Sequence, residues 1–74
     1  MRTKLYRRVG KHLRYYIVEL YRSLFGEYVV ERRYGNVANR SATGLRRDIF
    51  KDSEAAKNFF FHLLQRKQRK GYSL

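Results

Sequence analysis

Leu13-Arg14-Tyr15-Tyr16-Ile17-Val18-Glu19-Leu20-Tyr21-Arg22, followed after a short break by Glu27-Tyr28-Val29-Val30-Glu31-Arg32-Arg33-Tyr34, decides the fold of this chain. Both runs are dominated by β-branched and aromatic residues, which favour a pleated and half-buried surface. Leu24-Phe25-Gly26 lies between them as a turn, so the two runs read as an antiparallel hairpin. Side chains alternate across a strand. Tyr28, Val30, Arg32 and Tyr34 therefore share one face of the return strand, and Val29, Glu31 and Arg33 share the other.

Working outward, Leu5 to Val9 reads as a short first strand closed by a turn at Gly10. Gly35 breaks the return strand, and Asn36 to Gly44 is a polar loop. Leu45 to Phe50 resumes as a strand, with Leu45 and Ile49 on one side and Phe50 on the other. Asp52 or Ser53 caps a helix, with Glu54 in its first turn at the positive end of the helix dipole. Ala56, Phe59, Phe60, Leu63 and Leu64 recur at spacings of three and four and form an apolar stripe facing the sheet. Phe61 lies off that stripe. The helix reaches about Lys70, where Arg66, Lys67, Arg69 and Lys70 crowd its negative end and Gly71 terminates it. The expected class is α+β: a small curved antiparallel sheet of about four strands with one C-terminal helix packed on one face, residues 1–74 forming one domain.

Composition narrows the function. Twelve Arg and six Lys stand against six acids, a net charge of +12. Such an excess points to a negative partner: nucleic acid first, an anionic membrane surface second, an acidic protein third. Arg adds a planar fork suited to phosphate that Lys lacks. The plainer alternative is a charge that only keeps the chain in solution. At 43% hydrophobic and 16% aromatic the chain is too apolar for a disordered tail. No apolar run is long enough to span a bilayer, and none follows the first cations as a signal peptide requires. The absence of cysteine fits a reducing compartment, so the expected location is cytoplasmic, with nucleoid association if the partner is DNA.

Enzymatic readings fail on the residue inventory. Cysteine is absent, His12 and His62 stand apart without a second ligand at metal spacing, the acids are scattered, and Ser53 is a cap. No glycine is followed by the Lys-Ser/Thr of a phosphate loop, and no catalytic, metal or cofactor site is expected. What remains is basic and aromatic together: Arg32, Arg33, Tyr34, Gly35 and Asn36, then Arg40 on the loop, then Arg46 and Arg47. Arg neutralises phosphate while an aromatic ring stacks on a base or sugar. Lys67 and Lys70 extend the same surface from the helix. A plainer reading keeps Tyr34 as a rim residue and the arginines as its solvated face.

In order along the chain, Arg14-Tyr15-Tyr16 with Val18 and Leu20, Leu24-Phe25-Gly26, Tyr28-Val29-Val30, Arg32-Arg33-Tyr34-Gly35-Asn36-Val37, Phe50 before Ser53-Glu54-Ala55-Ala56, and Lys67, Arg69, Lys70, Gly71 and Tyr72 make the chain resemble a WGR domain. This is the module of eukaryotic poly(ADP-ribose) polymerases and of many bacterial proteins, small stand-alone ones among them. The resemblance covers nearly the whole sequence. It implies a non-catalytic nucleic-acid-binding module that in the polymerases binds DNA near a 5′ end at a strand break. There the motif's Trp stacks on a sugar and its Arg helps hold the break.

Carried over, stacking falls to Tyr34 and the turn to Gly35, while Asn36 lacks the cation of the third position. Tyr keeps a ring of smaller area, and Asn removes a charge-assisted contact. Ala38 stands where the family tends to have Gly, and the loop to Gly44 is several residues longer; Arg33, Arg40 or Arg46 are the candidates to compensate. DNA is accordingly the expected partner. The alternatives are single-stranded RNA and a protein contact in which the sheet or Phe61 docks an acidic partner or a second copy.

Overall fold

A computed structural model describes all residues, Met1–Leu74. The chain is a meander of four antiparallel strands, β1 (Arg2–Val9), β2 (His12–Arg22), β3 (Tyr28–Asn36) and β4 (Gly44–Phe50), in the spatial order β1-β2-β3-β4, followed by one helix, α1 (Ser53–Arg69). The expected α+β class is what the structure shows.

Register explains how the core forms. Leu5, Tyr16, Tyr34 and Gly44 lie in one row across the sheet, and Thr3, Val18, Arg32 and Arg46 in the next. These rows face the helix. Leu5, Tyr16, Val18 and Val30 are buried there against Ala56, Phe60 and Leu63 of α1 and against Tyr72. The apolar stripe of the helix is thus the core stripe, with Phe59 and Leu64 partly buried at its edges. Phe61 is half-exposed and meets Phe60 edge-on at 5.3 Å. No helix is long and apolar enough to cross a membrane.

Several boundaries differ from those the sequence suggests. β1 begins at Arg2 because its ladder with β2 continues to the Arg2–Glu19 pair. β2 begins at His12, one residue ahead of the run that opens at Leu13, whereas Glu27 precedes β3. Gly35 does not end β3. It pairs with Tyr15 in the ladder and has no left-handed backbone, which is confined to Gly10, Gly26 and Gly71. The loop therefore spans residues 37–43 rather than 36–44.

Both helix ends are defined by hydrogen bonds. Asp52 is the N-cap, its carboxylate accepting from the Ala55 backbone N–H at 3.2 Å. At the other end Gly71 takes φ +101°, so the Gly71 N–H reaches the Gln68 carbonyl and the Tyr72 N–H reaches the Lys67 carbonyl, both at 3.0 Å. This Schellman closure turns the chain back onto the sheet and buries Tyr72. Ser73 then pairs with Tyr6 through two backbone hydrogen bonds, covering part of the β1 edge.

Candidate nucleic-acid interface

The core stripe of α1 changes character without changing direction. Leu63, Arg66, Lys67 and Lys70 follow at spacings of three and four, so the cations continue the face that Ala56 and Phe60 present to the sheet. Where the core ends, a cleft of about 130 Å³ opens between helix and sheet. It is lined by Tyr16, Arg32, Tyr34 and Arg46 from the strands and Leu63, Arg66, Lys67 and Lys70 from the helix. Five of these eight side chains are cations and none is a carboxylate.

Aromatic rings form its inner wall. Tyr16 and Tyr34, register partners on β2 and β3, stack with centroids 5.9 Å apart and planes 21° apart. Tyr34 in turn covers Gly44: a Cβ built on Gly44 would collide with the Tyr34 ring. Glycine is what lets the ring lie flat across β4. Tyr72 also packs against Tyr16, its ring tilted by 57° at 5.9 Å, and the Lys67 ammonium lies 4.6 Å from the Tyr16 centroid. At that distance a cation is attracted by the ring quadrupole.

The electrostatics of the cleft are unbalanced. Arg32 bonds Asp48 at 2.9 Å, the only ion pair made by a cleft cation. Burial pushes the Lys67 ammonium below the ordinary lysine pKa, and the nearby charges of Lys70, Arg66, Arg32 and Arg7 push it the same way. Burial likewise raises the Tyr16 phenol, with the Arg32 charge opposing. The Tyr16 hydroxyl and Arg32 Nε are both buried without a hydrogen-bond partner. Unpaired buried groups of this kind cost about 1–3 kcal/mol each. An anion in the cleft would offset the crowded positive charge.

The structure divides the expected site residues between two faces. Arg32, Tyr34, Arg46, Lys67 and Lys70 meet at the cleft. Arg33 and Arg47 lie on the opposite face, where both bond the carboxylate of buried Glu31, at 3.0 and 2.8 Å. Arg40 is exposed on the β3–β4 loop, on Arg33's side of the sheet. Gly35 is buried in β3. Asn36 ends that strand, its side chain bonded to the His12 ring at 3.1 Å and to the Ala38 N–H at 3.0 Å.

Sequence reasoning missed Tyr16, Arg66 and Tyr72 as parts of this site. Two signals were present: Tyr16 occupies the row of Tyr34 once the hairpin is registered, and Arg66 continues the helix stripe three residues beyond Leu63. Tyr72 carries no periodic signal, because it arrives through the Gly71 reversal.

A four-strand meander with one helix across a single face, and a cationic cleft where the two part, defines a small α+β module. The chain belongs to the WGR family: the family model of the WGR domain matches residues 1–74, its full length. WGR domains are non-catalytic nucleic-acid-binding modules. No curated protein and no solved structure matches the chain. Tyr34 stands on the wall of the cleft and Asn36 at the end of its strand.

Proposed function

We propose that this protein binds DNA through phosphate contacts in the helix-side cleft, with Tyr34 as the aromatic wall against which a sugar or base rests. The observation that carries this reading is the convergence of Arg32, Arg46, Arg66, Lys67 and Lys70 on a space without a carboxylate in its lining. Phosphate oxygens supply both the charge and the acceptors that the cleft lacks. Arg32 is held by Asp48 and serves as a fixed donor; Arg46, Arg66, Lys67 and Lys70 are free to follow the backbone of the nucleic acid. Recognition is largely independent of sequence, because no element presents a helix for the major groove.

Fluorescence anisotropy against an open duplex and an end-closed dumbbell of equal length, each over a range of salt, tests the reading. Five displaced counterions give a slope of log affinity against log salt of about −4.5. Tighter binding to the open duplex means that ends are recognised and makes Tyr34 the first residue to mutate. A slope near zero overturns the proposal.

A further inference from the structure

The face of the sheet that the helix leaves open carries a second grouping of rings and cations. Tyr6 on β1 and Tyr15 on β2 are direct register partners, so their side chains stand side by side on that face, both half-buried. The Lys4 ammonium sits 5.3 Å from the Tyr6 centroid and 5.7 Å from that of Tyr15. One row further, Lys4, Ile17, Arg33 and Leu45 cross the sheet in register. The β3–β4 loop brings Arg40 to the same place, enclosing with Lys4, Tyr15 and Arg33 an open cleft of about 560 Å³. Lys4 and Arg40 have no acidic partner, and Arg33 shares Glu31 with Arg47.

We infer that this open face is a second binding surface, separate from the helix-side cleft, and that its ligand is a single-stranded nucleic acid whose bases stack on Tyr6 and Tyr15 while its phosphates pass Lys4, Arg33 and Arg40. Neighbouring strands lie about 4.8 Å apart, so a chain crossing from β1 to β2 meets one ring after the other. The chemistry selects the occupant. A duplex keeps its bases stacked inside and offers a flat sheet only phosphate, leaving both rings unused. An acidic peptide would employ the cations and ignore the rings. Unstacked bases with flanking phosphates use both. The backbone pairing of Tyr6 with Ser73 fixes the outer strand, so the platform is formed before the ligand arrives.

The test titrates the intact protein, labelled at its tyrosine rings for NMR, with oligothymidylate of about eight nucleotides and separately with a blunt duplex hairpin. Oligothymidylate is expected to shift the Tyr6 and Tyr15 resonances, and the hairpin those of Tyr16 and Tyr34. Tyr15→Ala is expected to weaken oligothymidylate binding by roughly tenfold while changing hairpin affinity by less than about twofold. Should Tyr15→Ala fail to fold, Lys4→Glu decides, because Lys4 is exposed. It must weaken oligothymidylate binding more than Lys57→Glu, which makes the same charge change on an exposed helix position. Lys67→Glu separates the two surfaces: loss of hairpin binding with oligothymidylate retained supports the second surface. The inference is overturned if oligothymidylate shifts only cleft residues, if Tyr15→Ala leaves its affinity within about twofold, if Lys4→Glu equals Lys57→Glu, or if polyglutamate binds the face as tightly as oligothymidylate.

Discussion

On the helix side of the sheet five cations line a cleft with no carboxylate among its walls, and only Arg32 has an acidic partner. On the open side Glu31, buried in β3, accepts from Arg33, Arg47 and the Tyr21 hydroxyl. The same residue type therefore does two jobs a few ångströms apart. Arg47 bonds a buried acid across the β3–β4 seam and Arg33 bonds it from within β3, whereas Arg46 and Arg66 make no ion pair. A net charge of +12 does not distinguish the two, but the position of one glutamate does.

The two faces differ only while the helix stays in place, so the largest effect is expected from Phe60→Ala. Phe60 is 2% exposed at the centre of the helix–sheet contact. Removing a buried Phe costs about 3–5 kcal/mol, against a total stability of roughly 4–11 kcal/mol for a chain of this length. Denaturant titration is expected to show stability lowered by that amount, with duplex binding lost to the extent that the protein unfolds. Gly44→Ala is the next largest, at about 1–3 kcal/mol. Its methyl group displaces the Tyr34 ring from β4, so cleft binding falls while the Glu31 network on the other face is untouched. Retained duplex binding in folded Gly44→Ala would separate Tyr34 from the site.

Period-two alternation made β2 and β3 legible, and the stripe from Ala56 to Leu64 made the helix and its buried side legible. Alternation also separates Arg32 from Arg33, yet composition groups them in one basic run, and the split between faces matters only once a helix covers one of them. Gly35 reads as a break because glycine weakens strands; here the ladder simply continues through it, with Thr43 and Tyr15 too close for a larger side chain. The cations at the helix end suit the dipole equally well on any side of the helix. Their convergence on Tyr16 and Tyr34 depends on where the sheet ends, a long-range fact that no local pattern encodes.

Acid acts on the open side through Glu31. Burial alone would raise the Glu31 pKa, but hydrogen bonds from Arg47 and Tyr21, with the charges of Arg47 and Arg33, outweigh it and hold the carboxyl below the ordinary glutamate value. A group depressed on folding contributes stability that is complete above its unfolded pKa of 4.5 and is lost as pH falls through the folded value. Melting temperature is expected to drop on acidification below that point. Glu31→Gln should cost about 1 kcal/mol near neutrality and flatten that part of the acid profile.

The smallest effect belongs to Lys67, where stability and affinity part in sign. Its pKa is lowered on folding, by burial and then by Lys70, Arg66, Arg32 and Arg7. Between that lowered value and the unfolded 10.5 the unfolded chain holds more protons, so this group's contribution to stability rises with pH. A phosphate in the cleft favours the charged ammonium, so binding takes up a proton and weakens as pH rises through the same window. Stability and affinity thus move in opposite directions at alkaline pH, whereas on the open side protonation of Glu31 lowers stability without touching the cleft. Lys67→Arg keeps its charge throughout this range and is expected to remove most of the alkaline loss of duplex affinity. Lys67→Gln should reduce the salt slope by about 0.9 and abolish the proton uptake, measured by calorimetry in buffers of different ionisation heat. Unchanged proton uptake in Lys67→Gln would place the titrating group elsewhere and remove Lys67 from the phosphate contacts.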